Sequence, residues 1–309
     1  MQQPWHTLPW HQGVIAQFSR QLSAGLQGHA YLVAMHQGYG ALELTEQLAQ
    51  SALCTEPTQQ GGCGQCKSCH LFLAGNHPDY HKVEADGQQI KVDQIRQLCQ
   101  ELSSTAQQGG RRIAVIQHCE RLNTAAANAL LKTLEEPGRE TLLFLQTDTP
   151  SRLMSTISSR CQRLHFQLPS TAEILQWLQQ QYPLEHDVTW CLSTVGGPVE
   201  LLSALESKRY EQLVQLRKDW IQSLSSGHLC ANLTHVDQKQ VSDALKVLFL
   251  VLKQKLIKQK QYDAVINAKI TDFATKVMAT YHELKMMPNV NYMAIFQMFI
   301  LEYQSITQA

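Results

Sequence analysis

The first half of the chain alternates short apolar runs with amphipathic segments, and this alternation limits the possible folds of its 309 residues more than any other feature. The runs Ala30 to Met35, Ile113 to Ile116 and Leu142 to Leu145 have strand length, and segments of helical periodicity separate them. Runs that are apolar at successive positions are typical of strands buried on both faces. The sequence therefore predicts a parallel sheet with flanking helices.

The character of the sequence changes near Pro169. Beyond it only amphipathic helical segments follow, interrupted by a Gly-Gly-Pro break at 196–198. We therefore predict an α/β domain over residues 1–168 and a small helical domain over 169–206. An all-α bundle that serves oligomerisation is predicted over 207–309.

Charge and hydropathy exclude some classes of partner. Lysine plus arginine and aspartate plus glutamate each total 26, so the formal net charge is zero. A balanced charge gives no strong nonspecific attraction to nucleic acid or to an anionic membrane. The amino terminus lacks a basic-then-apolar export signal, and no apolar run reaches the roughly 18 residues that a membrane helix needs. We expect a cytoplasmic protein with no membrane contact.

Four of the nine cysteines crowd into one short segment. Cys63, Cys66 and Cys69 form a Cys-x-x-Cys-x-x-Cys run, and Cys54 lies nine positions before it. In a reducing compartment such crowding favours a metal site, and four thiolates can complete the tetrahedral shell of one Zn²⁺. Four protein ligands leave no open position for water, so the predicted zinc is structural. An iron–sulfur cluster, disulfides and four unrelated cysteines are the alternatives.

The strand ending at Met35 leads through a glycine-containing turn into a helix, which is the usual setting of a phosphate-binding loop. Such a loop needs a lysine for the β- and γ-phosphates, followed by a hydroxyl for Mg²⁺. This chain has Ala41 and Leu42 after the last glycine of the turn. The magnesium-binding carboxylates expected after the next buried strand are replaced by Gln117 and His118. We predict that the chain neither binds ATP tightly nor hydrolyses it.

Three stretches carry a resemblance to a known family. They read Asn-Ala-Leu-Leu-Lys-Thr-Leu-Glu-Glu-Pro at 128–137, Leu-Leu-Phe-Leu at 142–145 and Ser-Arg-Cys at 159–161. In these stretches the chain resembles the clamp-loader branch of the AAA+ ATPases. The four-cysteine insert and the altered phosphate loop make it most similar to the delta-prime family of the bacterial DNA polymerase III holoenzyme.

The resemblance implies an α/β AAA+-like domain with a zinc-binding insert, a small helical lid domain and a C-terminal all-α collar. In that family the Ser-Arg-Cys motif supplies an arginine finger, so the resemblance assigns Arg160, between Ser159 and Cys161, to the ATP site of a neighbouring subunit. A guanidinium there can neutralise charge that develops during γ-phosphoryl transfer. The implied partners are gamma/tau and delta subunits, in a hetero-oligomer that loads a sliding clamp onto primed DNA.

Several further expectations follow from the same resemblance. The chain would have no ATPase activity of its own, yet belong to a DNA-directed DNA polymerase, which is a nucleotidyltransferase. The helix with Lys132, Glu135 and Glu136 is expected to be supporting structure near the arginine motif. Thr147 stands where active relatives have a polar sensor, and the break at 196–198 lacks their second sensing arginine.

Three other functions are compatible with parts of the sequence. An ATP-hydrolysing motor subunit of the gamma/tau type would share the cysteines and the Ser-Arg-Cys motif, but it needs the missing lysine and carboxylates. A zinc-dependent nucleic-acid-binding regulator needs a basic patch, whereas Lys67 is the one cation between Cys54 and Cys69. Metal-dependent hydrolysis needs an open metal site and a base, for which His70 and His77 are weak candidates.

Overall fold

The computed structural model describes residues 8–108, 110–258, 264–284 and 290–307. The chain divides into two compact units, Met1–Trp177 and Leu178–Ala309. The predicted three-part division, with boundaries after residues 168 and 206, stays a prediction. Within the described ranges, no helix combines the length and the apolar character that crossing a membrane requires.

The first unit contains a five-stranded sheet in which every pairing is parallel. The strands are β1 (Ala30–Ala34), β2 (Tyr80–Val83), β3 (Arg112–Ile116), β4 (Thr141–Thr147) and β5 (Gln162–Arg163). Their order across the sheet is β2-β3-β4-β1-β5. All residues of β3 and β4 are buried, which fits their largely apolar sequences.

Helices cover both faces of this sheet. They are α1 (Gln12–Ser23), α2 (Ala41–Leu53), α3 (Lys67–Leu73), α4 (Val92–Ser103), α5 (Thr124–Glu135) and the single turn α6 (Ser155–Ser158). On one face Phe18 of α1 packs edge-on against Tyr31 and Phe144, whose rings stack with centroids 5.7 Å apart. On the other face Leu98 of α4 and Leu130 of α5 join the strands in a second apolar cluster. Each face therefore has its own core.

Within its described residues, the second unit consists of helices and the loops between them. The boundary between the units falls inside α7 (Thr171–Gln181), and α8 (Leu192–Val195), α9 (Pro198–Glu206), α10 (Arg209–Ser226), α11 (Ala231–Thr234), α12 (Gln238–Lys258), α13 (Ala264–Leu284) and α14 (Tyr292–Thr307) follow. The buried Trp220 donates its indole N–H to the carbonyl oxygen of Ala244 at 2.8 Å and lies edge-on to Phe296. These contacts join α10, α12 and α14.

The predicted parallel sheet and the helical carboxyl-terminal region are confirmed, but two elements differ in detail. The sequence from Gln162 to Phe166 predicts a further strand, but β5 ends at Arg163, because it is an edge strand that pairs with only two residues of β1. For the segment 188–195 the sequence predicts a single helix. It is a 3-10 turn, Thr189–Cys191, followed by α8, and the turn begins where the Asp187 carboxylate accepts two hydrogen bonds from its first residue.

The start of α5 provides a test of the local folding rules. Asn123 caps this helix, since its side-chain oxygen accepts a hydrogen bond from the N–H of Ala126 at 2.8 Å. Asn123→Ala is expected to lower the free energy of unfolding by about 1 kcal/mol, measured by denaturant titration. Asn128→Ala, an exposed position inside the same helix, is the matched control and should leave stability unchanged or slightly raised. Equal losses in both variants would contradict the capping role.

Candidate functional site

The four clustered cysteines meet at the end of α2. Cys54 follows the last residue of α2, Cys63 lies in the next loop, Cys66 caps α3 and Cys69 lies in its first turn. The helix α3 was not predicted. The four Sγ atoms all lie within 4.8 Å of one another, and those of Cys54 and Cys66 are 3.8 Å apart. The structure therefore brings together all four predicted ligands.

The spacing of these sulfurs suits a single metal ion. A tetrahedral Zn²⁺ with Zn–S distances of about 2.3 Å separates its ligands by about 3.8 Å. A disulfide would bring two sulfurs to about 2.05 Å, whereas all nine cysteines, each within the described residues, are free thiols. An iron–sulfur cluster places several atoms between its thiolates, so it needs them wider apart. The arrangement favours one ion over these alternatives.

Backbone N–H groups stabilise negative charge on these sulfurs. Cys54 Sγ accepts a hydrogen bond from the N–H of Cys63 at 3.2 Å, and Cys66 Sγ accepts one from that of Cys69 at 3.4 Å. Burial raises the pKa of the Cys54 and Cys69 thiols. Burial opposes ionisation of Cys66 as well, but hydrogen bonds from Cys69 and Thr55 outweigh it and lower that pKa to about 6. A bound cation would favour the thiolate form of all four cysteines.

Ser68 links the segment from Cys54 to Cys69, here called the cysteine module, to the rest of the first unit. Its hydroxyl donates to the carbonyl oxygen of Leu53 at 2.7 Å and accepts from Nε2 of His77 at 2.9 Å. Nδ1 of His77 accepts from the N–H of Asp79 at 3.1 Å, so both ring nitrogens are engaged. Both ring nitrogens of this buried histidine are therefore used within the fold, and it is neither a metal ligand nor a free base.

The topology separates the remaining predicted positions along the two edges of the sheet. Residues 35–40 follow β1, so they lie at the carboxyl edge, where α/β proteins usually bind ligands. Arg160 precedes β5, which runs parallel to β1, and Glu135 ends the helix before β4. Both therefore lie at the amino edge. Arg160 and the chain's own phosphate-loop region are at opposite edges of the sheet.

The phosphate-loop region is closed on itself. The N–H of Gly38 donates to Nδ1 of His36 at 3.2 Å, that of Tyr39 to the carbonyl oxygen of His36 at 2.9 Å, and that of Gly40 to the carbonyl oxygen of Gln37 at 2.8 Å. A phosphate-binding loop instead directs successive N–H groups at its anion. Here the donors that would hold a phosphate are used inside a single 3-10 turn.

Residues just before α1 pack over this turn. Nε1 of Trp10 and Nε2 of His11 contact the carbonyl oxygen of Tyr39 at 2.8 and 2.9 Å. Gly40 has φ +84°, and a Cβ at this position would overlap the Leu8 side chain and come within 2.8 Å of His11 Cε1. Trp10 and His11 were not predicted, because no sequence pattern signals a contact with a turn 28 residues away.

The polar residues beyond this turn bind one another. His118, with φ 49°, contacts Nε2 of Gln37 at 2.8 Å through its own Nε2 and Oε1 of Glu120 at 3.3 Å through Nδ1. Thr147, at the expected sensor position, is buried, and its hydroxyl accepts from the N–H of Thr149 at 3.1 Å. The polar groups that would face a nucleotide are therefore already hydrogen-bonded to other residues of the chain.

The Ser-Arg-Cys motif lies on a turn that is anchored on both sides of the arginine. Ile157 before it is fully buried, and Cys161 after it packs, partly buried, against the same apolar core. Burial raises the pKa of Cys161 to about 11, so the thiol stays protonated and packs as an apolar group. The hydroxyl of Ser159 donates to the carbonyl oxygen of Thr156 at 3.3 Å, which closes the turn.

The Arg160 side chain is 35% exposed and is held by two contacts. Its Nε donates to Oε1 of Glu135 at 2.9 Å, and its Nη1 donates to the carbonyl oxygen of Thr156 at 2.9 Å. Glu135 was expected to be supporting structure near the motif. The structure makes it the direct partner of the arginine.

Comparisons with known proteins agree with this architecture. The family model described as "DNA polymerase III, delta subunit" matches residues 10–170, more than half of the chain. A DNA polymerase III subunit delta' from Haemophilus influenzae is 37% identical over 217 residues, 69% of this chain and 66% of the relative. The corresponding subunit of Escherichia coli K12 is 30% identical over 267 residues, 85% of this chain and 80% of the relative. The chain belongs to the delta-prime family of DNA polymerase III.

The fold of this delta-prime family member also resembles a solved structure. A crystal structure of a DNA polymerase III gamma subunit-related protein from Thermotoga maritima aligns with a TM-score of 0.52 and 17% identity, over 94% of this chain and 99% of that one. At this identity the likeness shows the fold alone. The match to the Haemophilus influenzae relative spans just under two thirds of that relative's length.

The cysteine module can be tested by its metal content. We expect one zinc ion per purified chain, and we expect Cys66→Ser to lose most of it, because three ligands no longer complete the tetrahedral shell. Elemental analysis measures both, with Cys230→Ser as the control thiol outside the cluster. Iron in place of zinc, or equal zinc in the two variants, would contradict the proposed site.

The buried His11 makes stability depend on pH. Burial lowers its pKa to about 4, although a hydrogen bond to Tyr39 opposes the shift. The unfolded chain binds a proton near the ordinary value of about 6.5, so the folded state loses stability as the pH falls from about 6.5 to 4. Relative to His11→Gln, wild type should lose about 3 kcal/mol over that range, measured by denaturant unfolding. An equal pH dependence of the free energy of unfolding in wild type and in His11→Gln would contradict this role of His11.

Proposed function

We propose that this chain is a non-hydrolysing subunit of a bacterial DNA polymerase III clamp loader and that Arg160 acts in the ATP site of a neighbouring subunit. In this proposal the partners are ATP-hydrolysing gamma/tau subunits and a delta subunit, assembled as a hetero-oligomer. The assembly opens a sliding clamp and loads it onto primed DNA. The chain takes part in a DNA-directed DNA polymerase without carrying out nucleotidyl transfer itself.

One observation carries the proposal. Arg160 lies at the amino edge of the sheet, and the phosphate-loop region of the same chain lies at the carboxyl edge. An arginine placed in this way cannot serve a nucleotide bound by its own chain. It can serve a nucleotide that another subunit presents against the amino edge, which is how an arginine finger supplied in trans works.

The chemistry of Arg160 suits that task. Transfer of a γ-phosphoryl group spreads negative charge over its oxygens, and catalysis rests on donors placed where this charge develops. The guanidinium of Arg160 is partly exposed, permanently charged and held on an anchored turn. It can approach a phosphate without first leaving the core.

The closed turn at residues 36–40 supports the absence of ATP hydrolysis by this chain. Its N–H groups donate to acceptors within the turn itself. The turn is followed by Ala41 and Leu42 in place of a lysine and a residue with a hydroxyl group. Trp10 and His11 lie over the same turn. An ATP-hydrolysing motor subunit would need both the residues and the open loop.

Zinc at the four cysteines has a structural role in this proposal. Cys54, Cys63, Cys66 and Cys69 together fill a tetrahedral shell, which leaves no position for water or substrate. The metal would supply folding free energy to a segment with few buried apolar side chains.

Arg160→Ala tests the proposal in the complete loader. The substitution should lower clamp- and DNA-stimulated ATP turnover at the neighbouring subunit's site by at least about tenfold. An arginine finger contributes several powers of ten to the rate in some enzymes. Arg160→Lys should not restore turnover, since an ammonium group cannot bind two oxygens in the same planar way. Single-turnover ATP hydrolysis by loaders of equal subunit composition gives the measurement.

Arg163→Ala is the matched control, because this arginine is exposed on the adjacent strand β5. It should leave stimulated turnover within about twofold of wild type. Full turnover by the Arg160→Ala loader, with normal assembly, would rule out the finger role. Hydrolysis of ATP by the isolated chain would overturn the assignment of this chain as a non-hydrolysing subunit.

A further inference from the structure

The guanidinium of Arg160 has more hydrogen-bond donors than its contacts use. An arginine carries five N–H groups in a planar fork. The Nε–H and one N–H of Nη1 are bound to Glu135 and to the carbonyl oxygen of Thr156. Nη2 lies 2.5 Å from the same oxygen of Glu135, and only one of its two diverging N–H groups can face that oxygen. One N–H therefore remains on each terminal nitrogen.

The position of Glu135 leaves the end of the fork open. Its Oε1 sits beside Nε and Nη2, which is the side of the guanidinium nearest the chain. The second N–H of Nη2 points away from that side, toward the end of the fork. Donors on the two terminal nitrogens are those with which an arginine binds the oxygens of a phosphoryl group. The contact with Glu135 therefore orients Arg160 without blocking it.

Glu135 is itself well placed to hold a side chain. It is the last residue of α5 and directly follows Leu134, which is buried in the core against the sheet. The Glu135 side chain is 51% exposed, so its ion pair with Arg160 lies at the protein surface. Exposed ion pairs add little to the stability of a folded chain. Folding alone therefore does not account for the pairing.

We propose that Glu135 is a positioning residue for Arg160, an inference that rests on the proposed function. Its carboxylate fixes the Nε side of the guanidinium, so that the end of the fork faces the γ-phosphate of a nucleoside triphosphate bound by the neighbouring subunit. Without such a contact, a long arginine side chain loses much rotamer freedom when it binds a phosphate. Fixing it in advance removes that cost from the catalytic step.

A double-mutant cycle in the complete loader tests this role. Glu135→Ala should lower clamp- and DNA-stimulated turnover by about tenfold, because small misplacements of a catalytic group have effects of this size. Glu135→Gln should stay within about threefold of wild type, since its amide oxygen can still accept the Nε hydrogen bond. In a loader that already carries Arg160→Ala, Glu135→Ala should cause no loss beyond about twofold.

Glu136→Ala is the matched control, because it removes the same charge from the next position, which is also exposed. The fold-change in turnover that Glu136→Ala causes should be the same in the wild-type loader and in the loader that carries Arg160→Ala. Thermal unfolding of each isolated variant, together with the subunit composition of each loader, identifies variants that fail to fold or assemble.

The outcomes separate the inference from the proposed function. A loss with Glu135→Ala that disappears in the Arg160→Ala loader, together with retained turnover in Glu135→Gln, supports positioning. Unchanged or increased turnover with Glu135→Ala, an equal loss in both backgrounds, or a Gln variant as impaired as Ala overturns it. If Arg160→Ala itself has no effect, the finger proposal fails and the positioning role fails with it.

Discussion

The parallel pairing of β1 with β4, from Ala30 opposite Leu143 to Ala34 opposite Thr147, fixes the location of the polar groups in the first unit. In a parallel sheet, every segment that leads into a strand lies at one edge and every segment that leaves a strand lies at the other. The turn after β1 is therefore directed to the carboxyl edge. The end of α5 and the turn before β5 meet at the amino edge, which brings Glu135 and Arg160 together across 25 positions of sequence.

The two edges differ in how they satisfy their hydrogen-bond donors. At the carboxyl edge there is no phosphate-binding lysine, and an unpaired buried N–H group costs about 1–3 kcal/mol. Closing the chain into a 3-10 turn pairs those groups, and Tyr39 then turns its carbonyl oxygen to Trp10 and His11. At the amino edge Arg160 keeps donors that the chain does not use. This distribution of donors supports the proposal that the chain acts on a nucleotide bound by a neighbouring subunit.

What the sequence predicted, and what it did not, follows from the range of the interactions. The buried strands depend on consecutive apolar residues, and the cysteine cluster on ligands a few positions apart, so local patterns were enough to predict them. Arg160 was assigned through a family resemblance, since a single exposed arginine has no pattern of its own. The contact of Trp10 with Tyr39, 29 positions away, and the pairing of Arg160 with Glu135 depend on how distant segments meet in the folded chain. Neither contact leaves a periodic or compositional signal.

Helix α2 separates the closed turn from the cysteine module within the first unit. It begins just after Gly40, at the carboxyl edge, and ends just before Cys54, so the cysteine module lies at its far end. From residue 55 to residue 67, no side chain is fully buried. That segment cannot gain enough from apolar burial to offset the entropy of ordering its backbone. A metal ion held by the four thiolates would supply the missing free energy. Ser68 would link the ordered segment to the end of α2 through its hydrogen bond to the carbonyl oxygen of Leu53.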